Sequence, residues 1–248
     1  AFYANSRHWV WFSNGTHFGY CSSLDAVSWS PFIAVAICPQ APWDIFDARF
    51  DGAYVHYVFS SGYNDSIHYR RGLPNFDGSI SWSASEQTVL GASDTVYSHS
   101  TVSVDSNGYV WIGYLLYKAS WSNGQTPNPF YPYVIKSSTN DGTWQTANGF
   151  PYRLSEETLG DRIVTPIPLT QGKMYIVYSS NWRPIKGKLW NGISFGNEET
   201  VTVSNLGTCW FYSAVAQGDD VHLTFLKEWT KTEASKIVYV KRTYATSI

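Results

Sequence analysis

The chain has 248 residues, of which 44% are hydrophobic and 17% aromatic, enough to bury roughly 70 to 75% of the surface an unfolded chain would expose, so a disordered polymer is excluded. Lys and Arg number 17 against 19 Asp and Glu, a formal net charge of -2, which leaves no basic excess to neutralise a phosphate backbone; nucleic acid is not expected as a partner. The longest apolar run, Phe32 to Cys38, is far short of the roughly 20 residues that span a bilayer.

Taken in order, the elements repeat. Unit one, Ala1 to about Trp43, has a polar turn at Asn5-Ser6-Arg7, the apolar run Trp9-Val10-Trp11-Phe12, and then Ser28-Trp29 after a second polar turn. Unit two, Asp44 to about Ala92, opens its strand from Asp51-Gly52 and carries Gly78-Ser79-Ile80-Ser81-Trp82. Unit three, Ser93 to about Gly160, repeats both signals at Asn107-Gly108 and at Asp141-Gly142-Thr143-Trp144, with an insertion from Trp121 to Pro132. Unit four, Asp161 to about Gly207, shows Gln171-Gly172 and then Asn191-Gly192-Ile193-Ser194-Phe195, and unit five, Thr208 to Ile248, shows Gly218-Asp219-Asp220 ahead of Val221 to Phe225. Glycine serves these turns because tight hairpins demand positive φ.

Two separate signals thus share a period of about 45 to 65 residues, each period holding four short β runs, which is the make-up of a β-propeller blade. An aromatic after the second turn would fill the gap of about 10 Å between stacked sheets. No window sustains a 3.6-residue period with caps, so helix is not expected. The expected fold is an all-β propeller of four-stranded antiparallel blades with about five units in a single domain, as an incomplete ring or a fragment. Unit one has only Ala1 to Ala4 for an inner strand, and unit five lacks an outer one, so open edge strands offer a route to self-association.

The segments Ser22 to Trp29, Tyr69 to Trp82, Ser137 to Trp144 and Leu189 to Phe195 resemble the Asp-box of sialidase-like (BNR-repeat) propellers. That pattern is Ser-x-Asp-x-Gly-x-Thr-Trp; here Asp25 lacks the following glycine and Asn140 occupies the Asp slot. The resemblance implies a brace between strands rather than an active centre. It also implies what to seek for sialidase chemistry: three arginines on a carboxylate, a Tyr nucleophile with a Glu, and an Asp acid/base. The nearest counterpart to the family's early Arg-Ile-Pro is Arg162-Ile163-Val164, which comes late and lacks the Pro. Tyr212-Ser213 resembles the setting of the nucleophile, although packing accounts equally for the aromatic run Trp210-Phe211-Tyr212.

Residues at the starts of inner strands line a propeller's funnel, and here they include Asp44, Asp47, Arg49, His99, Asp161, Arg162, Trp210 and Tyr212. Asp47, Arg49, Asp161, Arg162 and Tyr212 are the catalytic candidates, since paired carboxylates could act as acid and base on a glycosidic bond. Salt bridges within Asp47-Arg49 and Asp161-Arg162 are the competing reading. Arg70-Arg71 is expected on a solvated face, as are Glu156-Glu157 and Glu198-Glu199.

Sugars stack on aromatic rings. The insertion offers Trp121, Asn123, Gln125 and Tyr131, the matching turns offer Trp182 and Trp229, and Trp210 stands at the funnel; these are the ligand-binding candidates. The favoured function is extracellular or cell-surface recognition of a glycan or a surface protein. A sialidase-like glycoside hydrolase and an assembly component of a surface structure are the alternatives. The sequons at Asn14 and Asn64 fit an extracellular setting, and the chain opens on Ala1 with no leader, so a removed signal peptide or a longer parent is expected. The six histidines show no ligand spacing, and His56 and His222 recur in equivalent strand positions, so packing is expected there; no metal or cofactor is anticipated.

Overall fold

Short strands, some of them buried along their whole length, and turns in which a carboxylate or amide oxygen collects backbone N–H groups organise the described residues. The computed structural model describes residues 1–37, 46–60, 66–91, 95–118, 130–157, 163–179, 184–201, 209–227 and 236–244. They form five antiparallel sheets and no helix; none is therefore long and apolar enough to cross a membrane.

The first sheet is β1 (Phe2–Ala4), β2 (Arg7–Ser13), β3 (His17–Ser23) and β4 (Ile33–Ile37), hydrogen-bonded in that order. The second is β5 (Phe46–Phe50), β6 (Val55–Ser60), β7 (Ile67–Pro74) and β8 (Ile80–Trp82), with β9 (Gln87–Leu90) also on β7. The third is β10 (Thr95–Val104), β11 (Val110–Lys118), β12 (Tyr131–Lys136) and β13 (Tyr152–Arg153). The fourth is β14 (Val164–Pro168), β15 (Met174–Tyr178), β16 (Lys186–Trp190) and β17 (Phe195–Thr200), and the fifth is β18 (Cys209–Gln217), β19 (Asp220–Lys227) and β20 (Lys236–Thr243). This is the expected propeller of about five blades, and the fifth has three strands among the described residues.

Strand β6 is buried on both faces, as a strand between two neighbouring sheets must be. Apolar clusters lie between successive blades, two at the first interface and one at each of the next three, and at the first three interfaces the aromatic after the second turn wedges in. Trp82 joins Trp9, Tyr20 and Val55 of the first interface; Trp144 meets Tyr69 at 5.6 Å in the second; Phe195 packs on Trp111 and Tyr152 in the third. Each of these rings reaches back onto the preceding blade. Trp29, in the first blade, meets no such cluster among the described residues and is 40% exposed.

The turns that carry them are built alike. Asp77 Oδ1 accepts from Ser79 N–H at 2.9 Å, Asp141 Oδ1 from Thr143 N–H at 2.9 Å, and Asp25 Oδ1 from Val27 and Ser28 N–H at 2.9 and 2.7 Å. Asp141, not Asn140, therefore does the bracing in the third blade. The glycine missing after Asp25 is replaced in conformation by Ala26, whose φ of 59 falls in the left-handed region that Gly78 and Gly142 occupy at 91 and 99.

A cation of each of the first four blades reaches the next. Arg7 Nη1 donates to Phe76 O at 3.2 Å, and Arg71 donates to Asn140 O at 2.6 Å and to Asp141 O. Lys136 Nζ lies 5.8 Å from the Trp190 ring centroid, and Lys173 Nζ donates to Tyr244 O at 3.1 Å and to Asp219. The expectation of a solvated Arg70-Arg71 face is thereby corrected, since Arg70 also donates to Ala84 O at 2.8 Å and lies over Trp82. Glu198 and Glu199 are likewise engaged rather than merely solvated: Glu198 accepts from Tyr178 OH at 2.7 Å and Lys186 Nζ at 2.8 Å, and Glu199 accepts from Tyr175 and Tyr244.

Candidate functional site

Inner strands bring their side chains to a common axis, and β5, β10, β14 and β18 line a channel there. Residues at the strand starts enclose a compartment of about 190 Å³, lined among others by Phe46, Asp47, Arg49, Thr101 and Tyr212. Residues toward the strand ends enclose a larger one of about 640 Å³, lined among others by Asp51, Ser103, Asp105, Pro166 and Leu169. Arg49, Thr165 and Ala214 belong to both walls. Of the five catalytic candidates, the structure gathers three, Asp47, Arg49 and Tyr212, around the smaller compartment.

Asp47 and Arg49 share a face of β5 because side chains two apart on a strand point the same way. Arg49 Nε donates to Asp47 Oδ2 at 3.3 Å, and the same oxygen accepts Val102 N–H at 3.0 Å from the neighbouring blade. The carboxylate is thus a fixed acceptor, and the guanidinium keeps further donors for a ligand. The Tyr212 hydroxyl lies 2.8 Å from Ile163 O, 3.1 Å from Val177 O and 3.1 Å from Thr165 Oγ1. It has one hydrogen to give, so it donates to one carbonyl and accepts from Thr165. Burial raises its pKa well above the ordinary phenol value, which works against a phenolate nucleophile. This geometry ties β18 to β14 at the channel wall.

His99 falls at a register shift in β10 between Ser98 and Thr101, with φ at 55 and a buried side chain; bulges of this kind re-aim a side chain. Tyr131 opens β12 and carries the Arg153 guanidinium 3.8 Å from its ring centroid, so one of its faces is already covered. Asp44, Trp121, Asn123, Gln125, Asp161, Arg162, Trp182 and Trp229 lie outside the described residues, and Trp210 lies on β18 with its side chain outside them.

Sequence reasoning passed over Asp51 and Asp105, which end or follow the inner strands β5 and β10. Asp51 Oδ1 accepts from Ala53 and Tyr54 N–H at 2.8 and 2.7 Å, and Asp105 Oδ1 from Asn107 and Tyr109 N–H at 2.9 and 3.0 Å. Their second oxygens hold the following strands, through His56 Nε2 at 2.9 Å and Trp111 Nε1 at 3.0 Å. Burial pushes the Asp51 carboxyl up, but the bonds from His56 and the two amides outweigh it and hold it down to about 2. An acid so held cannot deliver a proton near neutrality. The available signal was an Asp shortly ahead of the turn glycine, one residue before Gly52 and three before Gly108. Among the described residues, channel chemistry is therefore one guanidinium, fixed carboxylates, and the hydroxyls of Thr101, Ser103 and Thr165. Among the described residues no group of three or more His, Cys, Asp or Glu is placed to hold a metal.

No family model and no curated protein matches this sequence. Solved structures do match its shape. An ulvan lyase of a polysaccharide lyase family, bound to -[GlcA(1-4)Rha3S]-, aligns with TM-score 0.63 and 12% identity over 96% of this chain. The Aleuria aurantia lectin with Fucalpha1-6GlcNAc aligns with TM-score 0.55 and 10% identity over 94% of this chain and 74% of the lectin. The endo-arabinase of Bacteroides thetaiotaomicron aligns with TM-score 0.53 and 11% identity over 97% of this chain and 90% of the enzyme. The chain spans 65% of the length of the lyase. At these identities the likeness establishes the propeller; the sialidase part of the expected resemblance rests on the box-like turns alone.

Proposed function

We propose that the channel mouth recognises a carbohydrate without turning it over, in an extracellular or cell-surface setting. The observation that carries this reading is the convergence of Asp47, Arg49, Thr101 and Tyr212 on one compartment of about 190 Å³ that continues into a larger one. A guanidinium with spare donors, a fixed carboxylate acceptor and ordered hydroxyls suit the hydroxyl and carboxylate groups of a sugar. The resemblance in fold to polysaccharide-active and sugar-binding propellers supports that ligand class.

The competing reading is a glycoside hydrolase, sialidase-like or otherwise. It needs a second acid beside Asp47, and Asp161 is the residue that would supply it. Titration calorimetry with glucuronate-, fucose- and arabinose-containing oligosaccharides tests recognition; Arg49→Met should weaken the best ligand about tenfold or more while leaving the melting temperature unchanged. Absence of heat with every oligosaccharide would refute recognition at this site. Hydrolysis of fluorogenic sialosides or neutral glycosides that Asp161→Asn abolishes would establish the enzyme instead.

A further inference from the structure

The strut that joins one blade to the next changes between the second and third interfaces, and the change leaves room. In the second blade Asp51 holds His56, and Arg71 pairs in register with His56 and lies 4.2 Å over the Tyr54 ring. The Arg71 donors then cross to the carbonyls of Asn140 and Asp141 in the third blade. The third blade rebuilds this set: Asp105 holds Trp111, and Lys136 pairs with Trp111 and lies 5.1 Å from the Tyr109 ring. Trp190-Asn191-Gly192 stands in the fourth blade where Asn140-Asp141-Gly142 stands in the third, each turn braced by the side-chain oxygen of its second residue. Lys136, however, makes no hydrogen bond to that turn among the described residues. Asp105 has a fully buried side chain, and its Oδ2 keeps the ammonium at 3.4 Å, because a buried carboxylate left without its cation is costly. Where the guanidinium fills the gap at the second interface, the third has a cleft of about 240 Å³, lined among others by Tyr109, Lys136, Ser138, Asn148, Phe150 and Trp190.

Its walls are aromatic and fixed. Trp190 meets Trp111 and Phe150, each at 5.6 Å, while Tyr109, Phe150 and Trp190 all keep part of their surface exposed. The rim is polar and uncharged. Ser138 is exposed, and so is Asn148, which sits in a turn closed by Phe150 N–H on Ala147 O at 3.2 Å, where Gly149 supplies the φ of 83. Among the described residues the Asn148 amide has no hydrogen-bond partner, and neither has the buried Trp190 Nε1. At the base Lys136 and Asp105 offset each other's charge, so the cleft favours neither an anion nor a cation. Aromatic walls under an amide and a hydroxyl suit a sugar ring, whose C–H face stacks while its hydroxyls pair. The volume falls below the roughly 300 to 1,000 Å³ of sites for drug-sized ligands, which limits the occupant to one ring.

We propose that the cleft between the third and fourth blades is a second sugar site, taking a single uncharged pyranose. It shares no lining residue with either channel compartment, and it does not rest on the reading of the channel mouth. Two sites on one chain would hold a branched or repeating glycan more tightly than either site alone.

The probes are the methyl glycosides of glucose, galactose, mannose, fucose and xylose, with glucuronate as the charged counterpart and cyclohexanol as the apolar one. Saturation-transfer NMR on Arg49→Met protein reads the cleft with the channel weakened. At least one neutral glycoside should bind saturably, and more tightly than glucuronate or cyclohexanol. Lys136→Arg, which brings to the third interface the guanidinium that fills the second, should weaken that binding about tenfold or more, and so should Asn148→Ala, at an exposed turn position with little risk to folding. Melting temperatures should stay within about 2 °C of the parent's. No saturable binding by Arg49→Met protein, a preference for glucuronate or cyclohexanol, or parental affinity in either variant overturns the proposal. Equal binding by the wild type and by Arg49→Met protein would speak against the channel reading and support the cleft.

Discussion

Gly113 on β11 is the point at which one blade's backbone lies against the next. A methyl group placed there would sit 2.4 Å from Val164 O and 3.0 Å from Val164 C, both backbone atoms of β14. That carbonyl also accepts the Thr101 hydroxyl at 2.5 Å, so it cannot swing aside without losing a partner. Overpacking in a well-filled core costs roughly 1 to 3 kcal/mol, and because backbone meets backbone here the upper end, about 3 kcal/mol, applies to Gly113→Ala. For a chain of this size that corresponds to a fall of about 6 to 12 °C in melting temperature. Gly91→Ala is the control, since its added methyl would meet no atom within 4 Å, and it should change stability by less than about 0.5 kcal/mol. Thermal unfolding followed by circular dichroism reads both. Equal melting temperatures for the two variants would refute the blade-to-blade packing described, and with it the placement of Thr101, Ile163 and Thr165 around the channel.

Three further outcomes follow from individual residues. Burial, partly offset by Asp51, lowers the His56 pKa, so the unfolded chain takes up its proton first; stability is complete above about pH 6.5 and declines as pH falls from there toward the depressed folded value. Urea midpoints at pH 7.5 and 5.5 should differ for the wild type and differ less for His56→Gln. Trp144→Ala removes a ring wedged against Tyr69 and should cost about 2 to 3 kcal/mol, whereas Trp29→Ala, at a ring 40% exposed, should cost less than about 1 kcal/mol; equal losses would contradict the packing described at the second interface. Ala26→Gly relieves a left-handed alanine at φ of 59 and should raise stability by about 1 kcal/mol, read as a higher urea midpoint.

The blade pattern was legible because its turns leave a compositional mark. Gly52, Gly108, Gly172 and Gly218 all have positive φ, and few residues other than glycine tolerate that conformation, so the requirement is written directly into the chain. Ala26 shows the limit of the same logic: it takes the conformation without the residue, and only the bonds around Asp25 reveal the turn. The pairing of Asp47 with Arg49 was readable because side chains two apart on a strand share a face. Arg71 was not readable as a strut, because its partners at Asn140 and Asp141 lie 69 and 70 residues away, and a lone arginine carries no local sign of what it will meet. The His222-Tyr239 pair is intermediate: the repeated place of His56 and His222 in their strands was visible, while the tyrosine each one meets lies across a hairpin, 13 residues on in one blade and 17 in the other. Turn chemistry is thus local and legible, whereas the contacts that assemble blades or close a channel depend on register between distant strands. That is why the propeller could be expected from the residues alone, and why the struts between its blades emerged only once the hairpins were paired.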